Sequence, residues 1–132
     1  MLLITIKISI EQNDSLPDSL PGIDIKKVIN ELNLQKDTLK RILLRFMERN
    51  TNTMDKVWEA YNQKDLKSLG SLAHSIKGSG GNIGADDLYK AALEIENACK
   101  KKSVDPNLVV SLDAAFKQVL KSLKGLSDES SD

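Results

Sequence analysis

Apolar residues recur along most of this chain at intervals of three and four, the spacing that lines one face of an α-helix. From about Lys36 to Gln63 the stripe is Leu39, Ile42, Leu43, Phe46, Met47, Met54, Val57, Trp58 and Tyr61, which predicts one long helix with these side chains in a core. A further helix is expected from near Asp65 to about Asn82, with Gly84 as a left-handed C-cap and Asp86 as the N-cap of the next. That next helix carries Leu88, Ala91, Ala92, Ile95, Ala98 and Cys99 and ends in Lys100 to Lys102, cations that suit the negative end of a helix dipole. Asp105 followed by Pro106 is a helix start, a cap and then a proline in the first turn. It opens a last helix with Leu108, Val109, Leu112, Ala115, Phe116, Val119, Leu120 and Leu123, expected to stop near Gly125. Asp24 caps a short helix carrying Ile25, Val28, Ile29 and Leu32.

The ends of the chain follow other patterns. Ile4, Ile6, Ile8 and Ile10 alternate with Thr5, Lys7 and Ser9, a strand periodicity with no obvious partner strand later in the chain. This arm fits a linker from a larger protein, an added expression segment, or a strand that pairs with another chain, and the sequence does not choose. Asn13 to Gly22, with Pro17 and Pro21, has the composition of a linker, and Ser127 to Asp132 that of a disordered polar tail. The expected organisation is an arm over 1–21, a helical domain over 22–125 and a tail over 126–132. The expected fold class is all-α: an antiparallel up-down four-helix bundle with a short extra N-terminal helix.

Composition narrows the function. Lys plus Arg and Asp plus Glu are 19 each, so the formal net charge is zero. A zero balance gives no basic footprint for nucleic acid and no electrostatic membrane anchor. No apolar run approaches the ~20 residues of a membrane span, and the N-terminal stretch lacks the basic start and cleavage site of a signal peptide. The one cysteine, Cys99, excludes an internal disulfide and is expected as a small buried apolar residue in a reducing cytoplasm.

The one histidine, His74, stands in particular company. At about 100° per residue, with Ala73 at zero, Leu66, Leu69, Ile76 and Gly80 cluster toward a core direction near about −40°. His74 falls about 140° away from that direction and should point to solvent. Lys77, Gly70, Gly81, Gly78 and Ser71 share its sector. Each glycine inside a helix costs about 1 kcal/mol relative to alanine, so several around one exposed histidine make sense if another protein must approach the imidazole. Lys77, one turn on, sits where it could offset the charge of a phosphorylated ring. An ordinary surface histidine beside a frayed helix end explains the same residues, and geometry alone leaves both open.

The run Ala73-His74-Ser75-Ile76-Lys77-Gly78, continuing through Gly81-Asn82-Ile83-Gly84 to Leu88, resembles the signature of histidine phosphotransfer (HPt) domains. The resemblance extends from Leu20-Pro21-Gly22-Ile23-Asp24 to about Leu123, with Leu39 to Arg49 similar to the family's second helix. It implies that His74 is the phosphoacceptor, Lys77 its charge-compensating neighbour, and Gly78 the opening that admits a partner, with Gly70, Ser71 and Gly81 around it. Many members have Gln on the next helix, 22 residues after the histidine, and here Glu96 stands in that position. A carboxylate there could hold the far ring nitrogen protonated, and a solvated helix carboxylate fits equally well.

By the same resemblance the chain is a phosphorelay carrier in two-component signalling, with no catalytic machinery and no cofactor of its own. Its partners would be response-regulator receiver domains, which bring the phosphorylatable Asp, a Mg²⁺ site and a Lys. A monomeric, cytoplasmic protein is expected, and the Leu20-Pro21-Gly22 segment resembles those preceding such domains in bacterial hybrid sensor histidine kinases. The chain itself shows no phosphate-cradling loop and no acidic cluster for Mg²⁺. Two other classes compete. The phosphoacceptor helix pair of a sensor kinase would follow its histidine with Glu or Asp, where this chain has Ser75. A helical adaptor without phosphotransfer would keep full activity in a His74→Gln variant.

Overall fold

The computed structural model describes residues 16–130, with side chains as far as Ser127. Six helices follow in order: α1 (Ile25–Leu32), α2 (Lys36–Arg49), α3 (Thr53–Asn62), α4 (Leu66–Asn82), α5 (Asp86–Lys100) and α6 (Pro106–Ser130). The isoleucine alternation of residues 4–10 lies outside the described residues. Among those described the only β-type pairing is a single bridge between Leu20 and Ile23, so the protein is all-α.

The long helix expected over Lys36 to Gln63 is two helices. The apolar stripe pauses between Met47 and Met54, and the intervening Asn50-Thr51-Asn52-Thr53 offers side chains that compete for backbone groups. Asn50 Nδ2 donates to the Phe46 carbonyl at 2.8 Å, and Thr53 Oγ1 donates to Asn50 Oδ1 at 2.7 Å, which ends α2 and starts α3. Both segments still pack against α6, and Phe46 stacks on Phe116 with ring centroids 5.8 Å apart.

The turn between α4 and α5 brings the site's two helices side by side. The Ala85 amide donates to the Gly80 carbonyl at 2.9 Å and the Gly84 amide to that of Gly81 at 3.2 Å, a Schellman closure of α4. Gly84 is left-handed as expected, at φ +75, and a β-carbon there would lie 2.5 Å from Val28 Cγ2 and 2.7 Å from the Asp24 carbonyl oxygen. Because this closure uses Gly84 and Ala85, Ala85 becomes the N-cap of α5, and Asp86, expected there, is the first helical residue. Its carboxylate instead receives Lys27 Nζ at 3.1 Å, fastening α1 to α5. Asp24 does cap α1, accepting the Lys27 amide at 3.1 Å.

Two boundaries differ from expectation. Pro21-Gly22 makes a tight turn that Ser122 of α6 grips, its hydroxyl donating to the Pro21 carbonyl at 2.7 Å. Leu16, in the expected linker, is buried in the core. At the other end α6 runs through Gly125 to Ser130, where a stop and a polar tail were expected, because Leu126 continues the apolar stripe and is buried. The core gathers Leu16, Ile25, Leu39, Leu43, Leu69, Leu88, Ile95, Leu112, Phe116 and Leu123. No helix among the described residues is long and apolar enough to cross a membrane.

Candidate functional site

α4 lays Leu69, Ala73, Ile76 and Gly80 against the core and turns His74 outward, its side chain 69% exposed. Asp65 starts this helix, accepting the Ser68 amide at 3.1 Å and the Ser68 hydroxyl at 2.7 Å. α5 packs along α4 and presents Glu96 to the base of the imidazole. Glu96 Oε2 lies 2.5 Å from His74 Nδ1, and Glu96 Oε1 receives Lys77 Nζ at 2.6 Å. Glu96 is the buried charged residue among those described, its side chain only 11% exposed.

This arrangement revises the expected place of Lys77. In sequence it is an exposed cation waiting beside the histidine. In the structure its ammonium is drawn down onto the Glu96 carboxylate, and its side chain is largely covered. A carboxylate with so little water needs both partners to satisfy its oxygens. The hydrogen bond from Lys77, then that from His74, holds the Glu96 carboxyl below the usual carboxylate range. The Glu96 hydrogen bond in turn raises the Lys77 ammonium above its ordinary value.

Electrostatics fix the imidazole's protons. An ionised Glu96 only accepts hydrogen bonds, so Nδ1 must be the donor. In the neutral ring that leaves the lone pair on Nε2, the nitrogen turned away from α5, which has no protein partner among the described residues. The site is therefore a positioned imidazole with an outward-facing ring nitrogen and a buried counter-charge behind it.

The small residues around His74 divide into two kinds. A β-carbon on Gly78 would meet nothing within 4 Å, so the surface beside the ring is open there. One on Gly70 would touch Cys99 Cβ at 3.5 Å, and one on Gly81 would press the Tyr89 ring at 3.2 Å. Those two glycines let α5 approach α4 closely, as does Gly80 against Leu88. Ser71 is exposed and lines an open groove of about 700 Å³ beside His74, together with Lys67, Gly70, Cys99, Lys100 and Lys102. Lys100 and Lys102 thus add positive charge to the histidine's flank as well as suiting a helix terminus. Cys99, expected as a small buried apolar residue, is partly buried and packs against the core, and burial pushes its thiol's pKa up. No cluster of three or more His, Cys, Asp or Glu suited to a metal exists among the described residues.

Sequence reasoning missed the ion pair between Lys77 and Glu96. The two stand 19 positions apart on different helices, and only the packing angle of α5 on α4 joins them. The indole of Trp58 was also missed as a polar contact: its N–H donates to Asp113 Oδ2 on α6 at 2.8 Å.

The fold and the site together define a helical bundle built around one exposed, oriented histidine. Residues 39–125 match the Hpt domain family, and the chain belongs to it. Members of that family serve as histidine-containing phosphotransfer modules in phosphorelays, carriers and not catalysts in general. Comparison with curated proteins and with solved structures gave no match.

Proposed function

We propose that this chain accepts a phosphoryl group on His74 Nε2 from the aspartyl phosphate of a receiver domain and passes it to another receiver. The observation that carries this is the 2.5 Å contact between His74 Nδ1 and the largely buried Glu96, which leaves Nε2 as the outward base. In the forward step the Nε2 lone pair attacks phosphorus, the P–N bond forms, the P–O bond to the aspartate breaks, and the aspartate leaves as a carboxylate. The Nδ1 proton stays in place, and the positive ring is balanced by Glu96. The reverse step runs through the same atoms.

In-line transfer needs electrostatic support for the equatorial oxygens, and this chain offers the Lys77 ammonium, which shares the Glu96 carboxylate with the ring. The arriving phosphoryl competes with Glu96 for it, so Lys77 is shared between the two anions. The remaining support, a Mg²⁺ ion and a lysine, belongs to the receiver. The open surface at Gly78 gives the receiver room to reach the ring. Such a relay operates in the cytoplasm, where receivers reside.

The test is transfer from a panel of phosphorylated receiver domains to wild-type and His74→Gln protein. The expected result is an acid-labile, base-stable label on the wild type alone, as an N–P bond requires. Label retained by His74→Gln, or a His74→Gln protein that supports signalling fully, would replace the carrier by an adaptor.

A further inference from the structure

On the C-terminal side of Lys77 its own helix carries Gly78, Gly80 and Gly81. None of them offers a side chain, so α4 puts no wall there to confine a long, flexible lysine. Lys77 is nevertheless largely covered, its side chain 21% exposed. Cover on that side has to come from α5. The two helices run antiparallel, with Cys99 opposite Gly70, Glu96 opposite His74, and Tyr89 opposite Gly81. This register places Lys77 between Glu96 and Tyr89.

The Tyr89 ring rests on the α4 backbone at Gly81, where a β-carbon would lie 3.2 Å from Cδ2 and 3.6 Å from Cε2. A larger residue at 81 would push the ring outward. Tyr89 is 39% exposed, so this ring belongs to the surface and is not a core filler. It also stands within electrostatic reach of Lys77. The hydrogen bond to Glu96 is the main cause that raises the ammonium, and Tyr89 adds to it.

We propose that Tyr89 is a positioning residue for phosphotransfer at His74 and acts through Lys77: its ring, seated on Gly81, keeps the ammonium between the Glu96 carboxylate and the place of the phosphoryl group. The inference rests on the carrier reading above and adds to it a residue of α5 that works at one remove from the imidazole. A lysine that serves two anions in turn must move little, and always along the same path. Without the ring its stem is free to swing over Gly81, away from His74. Each such rotamer takes positive charge away from the transferring oxygens. The bulk of the ring does this work, so phenylalanine would serve as well as tyrosine.

The experiment uses the full chain with Tyr89→Ala or Tyr89→Phe, each with Lys77 present and in a Lys77→Ala background. Circular dichroism confirms that each variant is folded. The first readout needs no phosphate: the proton–nitrogen correlation spectrum of the lysine ammonium groups in isotope-labelled protein. An ammonium held in an ion pair exchanges slowly with water, and the Lys77 signal is assigned by its loss in Lys77→Ala. It should be resolved in the wild type and in Tyr89→Phe, and broadened away in Tyr89→Ala. The second readout is the rate of transfer from a phosphorylated receiver domain. Tyr89→Ala should slow it roughly fivefold or more, as misplacement of a supporting group does, while Tyr89→Phe transfers at the wild-type rate. In the Lys77→Ala background Tyr89→Ala should slow transfer no further, because residues that act as one unit are not additive. A Tyr89→Ala protein that keeps either the Lys77 signal or the wild-type rate would overturn the assignment, as would a wild-type chain with no resolved Lys77 signal. Equal slowing by Tyr89→Phe would move the role to the hydroxyl, and additive slowing without Lys77 would make Tyr89 a receiver contact; either result also overturns it. If no receiver loads His74 in the wild type, the carrier reading falls, while the ammonium signal still decides whether Tyr89 holds Lys77.

Discussion

At His74 the ring is oriented by a carboxylate that is itself neutralised by Lys77, so three side chains act as one unit. The titration of Glu96 and Lys77 sets the pH range of their ion pair. The Glu96 carboxyl is held below its ordinary value of 4.5, so its contribution to stability is present above that value and disappears as pH falls through the lowered one. The Lys77 ammonium is raised above 10.5, so its contribution is present below that value and is lost as pH climbs through the raised one. Thermal melts should therefore show a plateau between these limits and a fall on either side. In Glu96→Gln the acid-side fall should be shallower, while phosphotransfer slows because the amide no longer dictates which ring nitrogen holds the proton. An unchanged acid limb would remove Glu96 from the account. Gly78 gives a second residue-scale prediction. It lies within α4 in open space, so Gly78→Ala should stabilise the protein by about 0.5–1 kcal/mol in denaturant titration, as an alanine gains over glycine in a helix. Gly78→Leu should also fold, yet slow transfer from the receiver by filling the approach to the ring. Normal transfer kinetics in Gly78→Leu would show that the glycine is not there for access.

Among the elements, α3, α4 and α5 end by one recurring device. The amide of Asp65 donates to the Ala60 carbonyl at 2.9 Å, that of Ala85 to Gly80 at 2.9 Å, and that of Ser103 to Ala98 at 3.1 Å. In each case the preceding residue is left-handed: Lys64 at φ 57, Gly84 at φ 75 and Lys102 at φ 58. Only Gly84 is free of β-carbon strain. Gly84→Ala should destabilise by about 2–4 kcal/mol, from the left-handed backbone plus overlap with Val28 and the Asp24 carbonyl. Lys102→Gly should do the opposite, gaining up to about 1 kcal/mol, because relief of strain outweighs the added freedom of the unfolded chain. Chemical denaturation of the two variants checks both signs. The contrast also shows what was legible in sequence. Gly84 announced its turn because glycine is the residue that turn favours, whereas Lys64 and Lys102 carry no such mark. The faces of α4, α5 and α6 were legible because their apolar spacing is unbroken. The division of α2 from α3 was not, because the polar break falls within one continuous stripe phase and only the Asn50 side-chain bonds decide it. His74 and its open neighbour Gly78 could be placed by a helical wheel. The Lys77–Glu96 pair could not, since it depends on how two helices pack.

For the whole molecule, the family match covers residues 39–125, yet the core extends past both ends of it. Leu16, Ile23, Ile25 and Val28 before the match and Leu126 after it are all buried, at 3% exposure or less. Each such side chain contributes about 1.5–3 kcal/mol when fully buried, an upper estimate because the unfolded chain already hides some surface. Four of them on the N-terminal side add up to roughly the whole net stability of a typical domain, about 5–15 kcal/mol. The segment from Leu16 through α1 is also tied down by polar contacts. Asp24 donates its amide to the Gly84 carbonyl at 2.9 Å, Lys27 bonds Asp86, and Ser122 holds Pro21. Two of these attach at the turn that sets α4 against α5, and so support the approach of Glu96 to His74. A protein beginning at Lys36 should therefore lose its cooperative melt, although it keeps every residue of the match and of the site. The single substitution Leu16→Ala should destabilise the full chain by about 2–4 kcal/mol, the range for a large-to-small change in a packed core. Equilibrium denaturation of both proteins decides the matter. Wild-type stability in Leu16→Ala would mean that this leucine is peripheral. A truncated protein that melts cooperatively near the wild-type temperature would confine the folding unit to the matched helices.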